Sequence, residues 1–263
     1  MVKAANFREL LVRRVLKSPI VLLMLFASLL LGGCVDYDLG VNFANTNKGQ
    51  IVQSIKLAEQ VTELSGATFS EWLDSVQTRA TELGGKAKRI DDRELKVSIP
   101  FNNGTELEQK FNQFFNPNGK QEDNTATAIP EISSLLTLNQ GNFLLAVRNQ
   151  LSYDLDLRSL ANLSTDSTVV IDPNSLVEIE FSLHTPWGAS SVRNGENTVI
   201  PASLDQGHQL TWHLQAGKIN HLQTVFWLPS PLGIGALVIS LLVAGGIFLK
   251  EKVLGKKSAI ANL

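Results

Sequence analysis

The stretch Val35-Asp36-Tyr37-Asp38-Leu39-Gly40-Val41-Asn42-Phe43 alternates apolar with polar residues without a break. A period of two describes a strand with one buried and one wet face. Such a strand needs a partner, and the turn formers Asn45-Thr46-Asn47-Lys48-Gly49 followed by Ile51 to Leu57 supply one as a hairpin. Thr68 with Glu71 then forms a capping-box signature, after which Phe69, Trp72, Leu73, Val76, Ala80 and Leu83 recur at helical spacing until Gly84-Gly85 stops the helix. Lys86 to Ile90 and Leu95 to Phe101 form a second strand pair. Asn103 with Glu106 caps a short helix carrying Leu107, Phe111 and Phe114 on one side.

Residues 116–131 hold turn formers and no apolar pattern, and read as a loop or boundary. Beyond them the chain is strand-like, with Phe143 to Gln150, Tyr153 to Leu157, Val169 to Ile171, Val177 to Leu183, Leu210 to Leu214 and Ile219 to Trp227. The expectation is an α+β domain with antiparallel strands throughout and two helices confined to its first half. Residues 34–115 form its α+β part and 132–227 its β-rich part.

Upstream of the first strand lies Cys34, the one cysteine of the 263-residue chain, so neither a disulfide within the chain nor a zinc cluster has raw material. Residues 1–33 have the three-part form of an export signal. Lys3, Arg8, Arg13, Arg14 and Lys17 precede an apolar run from Ile20 to Leu31 interrupted by Ser28, and Gly32-Gly33 follow. Leu31-Gly32-Gly33-Cys34 resembles the bacterial lipobox, which implies cleavage before Cys34 and covalent diacylglycerol and acyl lipid, such as palmitate, on its sulfur. The alternative is a buried free cysteine in an uncleaved signal anchor.

At the other end, residues 228–249 carry no charge and as a helix would span about 33 Å, close to a bilayer's hydrocarbon thickness. Lys250, Lys252, Lys256 and Lys257 against Glu251 mark residues 250–263 as a basic cytoplasmic tail. The domain would then face the periplasm or a thylakoid lumen. Between Val35 and Trp227 there are 14 Lys and Arg against 23 Asp and Glu, a net charge of −9 that disfavours nucleic acid as a partner.

The runs CVDYDLGVNF (34–43), GQIVQSIKLAEQ (49–60), EWLDSVQTRATELGGKAKR (71–89) and VSIPFNNGTELEQKFNQFFNP (97–117), between a lipobox and a C-terminal span, resemble the cyanobacterial lipoprotein family described as domain of unknown function 3153, akin to the LppM-like lipoproteins. The resemblance implies a plasma or thylakoid membrane of cyanobacterial or plastid type. It brings no reaction and no catalytic residues.

The residues themselves offer no hydrolase elbow, phosphate-binding glycine loop, dinucleotide fingerprint or zincin helix. No catalytic, cofactor or metal residue is expected, and the chain reads as non-enzymatic. His184, His208, His213 and His221 read as surface or half-buried histidines: on strands His208 and His213 face opposite sides, and no acidic residue stands at ligand spacing. Asp36/Asp38 and Asp154/Asp156 each leave one face of a strand, on the solvent side. Lys86, Lys88, Arg89, Arg93 and Lys96 form the basic cluster of an acidic domain, suited to lipid headgroups or an acidic partner, or simply the polar face of a hairpin. Trp72 and Phe114-Phe115 fit helix-on-sheet packing, Trp187 a loop, and Phe226-Trp227 an interfacial aromatic belt.

The leading reading is an interaction or assembly factor for membrane protein complexes, and the alternative, of a different class, a module that binds an amphiphile between sheet and helices. An apolar pocket opening toward the membrane would favour the second; a closed core with an exposed apolar or basic patch, the first. The absence of linkers at both ends predicts that the first strand and the strand ending at Trp227 run antiparallel, side by side, with both ends of the domain at one membrane surface.

Overall fold

The computed structural model describes residues 35–57, 59–116, 133–160, 177–193, 195 and 197–260. The signal region, Cys34 and Val169 to Ile171 lie outside them. The opening alternation is strand β1 (Val35–Asn45), which turns at Thr46-Asn47 into β2 (Lys48–Leu57). Asn45 Oδ1 accepts from Asn47 N at 2.8 Å and holds the turn. Inward residues Leu39, Val41, Phe43, Ile51 and Ile55 are buried.

Helix α1 runs Glu59–Glu82, a whole segment earlier than the Thr68 signature predicts. Thr68 lies inside the helix because Glu59 to Leu64 are themselves compatible with helix and extend it backward. Its end matches expectation. Gly84 takes φ 74°, Gly84 N donates to Thr81 O at 2.9 Å and Gly85 N to Ala80 O at 2.8 Å, the paired bonds of a Schellman stop. Strands β3 (Lys86–Arg89) and β4 (Glu94–Phe101) follow as a hairpin. Helix α2 (Gly104–Phe115) is capped by Asn103, whose side chain accepts from Glu106 N at 2.8 Å, and buries Leu107, Phe111 and Phe114.

The second half is read less well from sequence. Strand β5 (Ser133–Asn142) has no counterpart in the expectation, and the two runs read at 143–150 and 153–157 are one strand, β6 (Ala146–Asp156), with Phe143 in the turn before it. Strands β7 (Val177–His184), β8 (Ala189–Ser191), β9 (Ala202–Leu204), β10 (Gln209–Leu214) and β11 (Ile219–Pro229) complete the domain, with a 3-10 turn at Asp205–Gly207. Helix α3 is Pro231–Ile260. Leu228, expected in the span, is fully buried at the end of β11 and belongs to the core.

The strands form a seven-stranded sheet ordered β3-β4-β2-β1-β7-β10-β9 and a four-stranded sheet ordered β5-β6-β11-β8. Mixed α+β character holds, but β1 and β7 pair in parallel, against the expectation of antiparallel strands throughout. Long-range pairing leaves no local signature, and a parallel partner needs only enough intervening chain, which α1 through β6 provide. The sheets face one another across a shared core, where Tyr153 of the small sheet meets Phe181 of the large one at 5.0 Å between ring centroids, and Phe226 meets Phe43 at 5.0 Å.

The strands β1 and β11 lie in different sheets, and their C-terminal ends meet: Phe43 touches Phe226, and Thr46 Oγ1 donates to Pro229 O at 3.4 Å. They therefore run in the same general sense, not antiparallel. Val35 stands at the pole opposite Pro229, because β1 is 11 residues long, about 35 Å of extended chain.

Candidate functional site

At the pole where β1 and β7 begin and β2, β6 and β10 end, the sheets and both helices of the first half leave a cavity of about 270 Å³. Its walls are mainly apolar, including Leu39, Trp72, Val76, Leu155, Ile179 and Leu214. The polar exceptions are few and placed by regular elements: Tyr37 on β1, Gln53 on β2, Arg79 on α1, and Ser134 and Tyr153 on β5 and β6. Gln53 is buried and its Oε1 has no hydrogen-bond partner.

Arg79 is the cation of this cavity. Its Nη1 donates to Phe114 O at 2.9 Å, its Nε to Ser75 O at 3.4 Å, and the guanidinium lies 5.5 Å over the Phe114 ring. Burial lowers its pKa and the nearby Tyr37 raises it. The Tyr37 phenol is itself pushed up, first by burial, with Arg79 pulling it down; Tyr153 is raised by burial. Both phenols are neutral, while a guanidinium stays charged. No carboxylate among the described residues forms an ion pair with Arg79. The arrangement offers an apolar segment a dry slot and an anionic or carbonyl group one charged donor.

Arg79 was legible in principle: Trp72, Val76, Arg79 and Leu83 are spaced four, three and four apart, which puts the arginine on the apolar stripe of α1. A cation on a buried stripe is the signal that goes with such a site.

The hairpin places the five basic residues on different sides. Lys86 and Lys88 leave one face of β3 with Lys96 of β4, directly opposite Lys88, on the outer side of the large sheet. Lys96 also contacts Glu94 at 2.8 Å. Arg89 points the other way and is tied to α1, donating to Asp74 Oδ1 at 2.9 Å and Ser70 Oγ at 3.0 Å. Arg93 N donates to Asp91 Oδ1 at 2.8 Å in the connecting loop.

Parallel pairing of β1 with β7 sets Asp36 beside Glu178 and Asp38 beside Glu180 on the same outer face. His213 of β10 reaches Glu180 Oε1 at 2.8 Å, and its ring nitrogen lies with Glu178 and Glu180 oxygens within 4.8 Å of one another. His221 contacts Asp154 Oδ1 at 2.6 Å across the β6–β11 pair. Neither partner stands at ligand spacing along the sequence; both come from neighbouring strands. Asp156 is held by Arg158, whose hydrogen bonds keep its carboxyl below the usual range.

Beside this domain stands a helix whose segment Pro231–Lys250 is long and apolar enough to cross a membrane. The described residues thus form a two-sheet sandwich with an apolar cavity, followed by such a helix. The family model described as "Protein of unknown function (DUF3153)" matches residues 41–255, and the chain belongs to that family. Among solved structures, the chain is similar to the folded domain of LppM from Mycobacterium tuberculosis, determined by NMR, with 13% identity, a TM-score of 0.42, and coverage of 76% of this chain and 93% of that one. A comparison with curated proteins finds none that matches.

Proposed function

We propose that this chain is a membrane-anchored, non-enzymatic domain that binds an amphiphile in the crevice between its sheets and helices. The observation that carries the reading is the cavity itself: apolar walls, one guanidinium with no carboxylate partner among the described residues, and a buried Gln53 Oε1 without a hydrogen-bond partner. Its volume, just below the roughly 300–1,000 Å³ of ordinary ligand pockets, suits one acyl or isoprenoid segment. The cavity lies at the pole away from α3, so it meets the expectation of an apolar pocket but not that of one opening toward the membrane, and in this reading the ligand enters from the aqueous side.

An anionic fluorescent fatty-acid analogue, titrated into the full chain in mild detergent, tests the proposal. Arg79→Leu should weaken the anionic probe more than a neutral-headed analogue, and Val76→Trp, which fills the slot, should weaken both. Binding that ignores both variants would sink the idea.

A second reading, an interaction or assembly factor for membrane protein complexes, is favoured by the two-signed outer face of the large sheet. Lys86, Lys88 and Lys96 stand at one edge and Asp36, Asp38, Glu178 and Glu180 beyond. A mild-detergent pull-down with lipids and proteins both identified separates the two.

The anchoring is part of the proposal. In it α3 spans the bilayer with its lysines in the cytoplasm, and Cys34 carries lipid. External protease should then remove the domain and spare a C-terminal tag, and palmitate label should vanish in Cys34→Ser. Loss of the tag, or label that persists, would count against the respective half.

A further inference from the structure

We infer that the β5–β6 turn, Phe143-Leu144-Leu145, is a second membrane contact that enters the interfacial layer of the bilayer beside the first turn of α3. The inference rests on the reading of α3 as a span. Three consecutive large apolar residues, 61%, 69% and 38% exposed, occupy the tip of a hairpin. A hairpin tip in water is ordinarily built from Gly, Asn or Asp.

The backbone makes the choice more pointed. Leu144 has φ 65°, Leu145 N donates to Phe143 O at 2.8 Å, and Asn142 Oδ1 accepts from Leu144 N at 3.0 Å. This is a three-residue turn closed around a left-handed centre, a conformation in which a bulky side chain is strained. Gly or Asn would relieve the strain and the exposure together, so a leucine here needs an apolar surrounding to offset both.

The surrounding is supplied by position. Ser230 N donates to Leu145 O at 2.9 Å, and Gly233 approaches the Leu144 carbonyl so closely that no side chain could stand there. The tip is therefore level with the start of α3. Phe143 packs on Trp227 at 5.2 Å between ring centroids, and Leu232, 82% exposed, continues the patch onto the helix. Arg148 stands directly opposite Trp227 across the β6–β11 pair and is exposed, where a guanidinium above an apolar layer meets lipid phosphates. The aromatic belt expected at Phe226-Trp227 is thus Trp227 with Phe143, since Phe226 is buried.

The test places a polarity-sensitive fluorophore on single cysteines in a Cys34→Ala background, with the full chain reconstituted into vesicles of phosphatidylcholine and phosphatidylglycerol. Labels at Leu144→Cys and Phe143→Cys should shift to the blue and lose intensity when the acyl chains are brominated, as should a label at Leu241→Cys within α3. A label at Ile200→Cys, exposed elsewhere on the domain, should do neither. If Leu241 is quenched while both tip positions behave like Ile200, the span stands and the tip contact falls. If the tip labels shift to the blue without quenching, protein covers them and the inference is likewise overturned. Absence of quenching at Leu241 would remove the span and the inference together.

Discussion

Asp38 shows what register does to a single residue. On β1 alone it is an ordinary exposed carboxylate, but β7 lays Glu178 and Glu180 alongside, and its pKa is raised by partial burial first and then by Asp36 and Glu178. A raised carboxyl destabilises the folded state once ionised, so the penalty is absent at acid pH and develops as pH rises past the ordinary carboxylate range. Asp38→Asn should therefore raise the melting temperature at pH 7 and change it little at pH 3. An equal gain at both pH values would show that charge is not the cause.

Among the elements, β5 is the edge strand of the small sheet, and sequence gives no reason to expect that edge to be covered. Helix α2 covers it with side chains one turn apart. Glu108 Oε2 accepts from Leu138 N at 3.1 Å, Asn112 accepts from Leu136 N and donates to Leu136 O, both at 2.8 Å, and Asn116 pairs with Ser134. Four helical residues rise about 6 Å and two strand residues about 6.8 Å, so the two ladders stay nearly in step. Asparagines on the helix take the place of a missing strand. Asn112→Ala should cost about 2 kcal/mol by leaving backbone groups of Leu136 without partners, and should speed hydrogen exchange at the Leu136 amide. Unchanged exchange there would refute the edge-capping role.

For the molecule as a whole, the parallel sense of β1 and β11 separates what a short-linker argument would join. With α3 upright and the β5–β6 turn at the interface, the pole bearing Val35 stands about 30 Å or more from the headgroups. Because Cys34 directly precedes Val35, an upright domain and lipid from Cys34 in that same bilayer are alternatives. Energy transfer from a donor at Lys56→Cys, paired across from Asp36 near that pole, to acceptors on headgroups measures the difference. Weak transfer is expected for the upright domain; strong transfer would mean that it lies flat and that the turn is lifted from the interface.

Features that depend on neighbours along the chain were legible before any fold was known. The alternation of Val35 to Phe43, the Gly84-Gly85 stop, the Asn103 cap and the charge-free segment leading into lysines each encode a local preference in dihedral, hydrogen bond or hydropathy, and each reappears in the described residues. Strand β5 was illegible because its exposed polar end, Asn139 to Asn142, breaks the alternation. Other features exist only in the folded chain: the parallel β1–β7 register that gathers Asp38, Glu180 and His213, the cavity around Arg79, and the turn that meets the head of α3. These depend on which distant strands pair, and pairing is settled by how two sheets share one core, a quantity that no local window of residues contains.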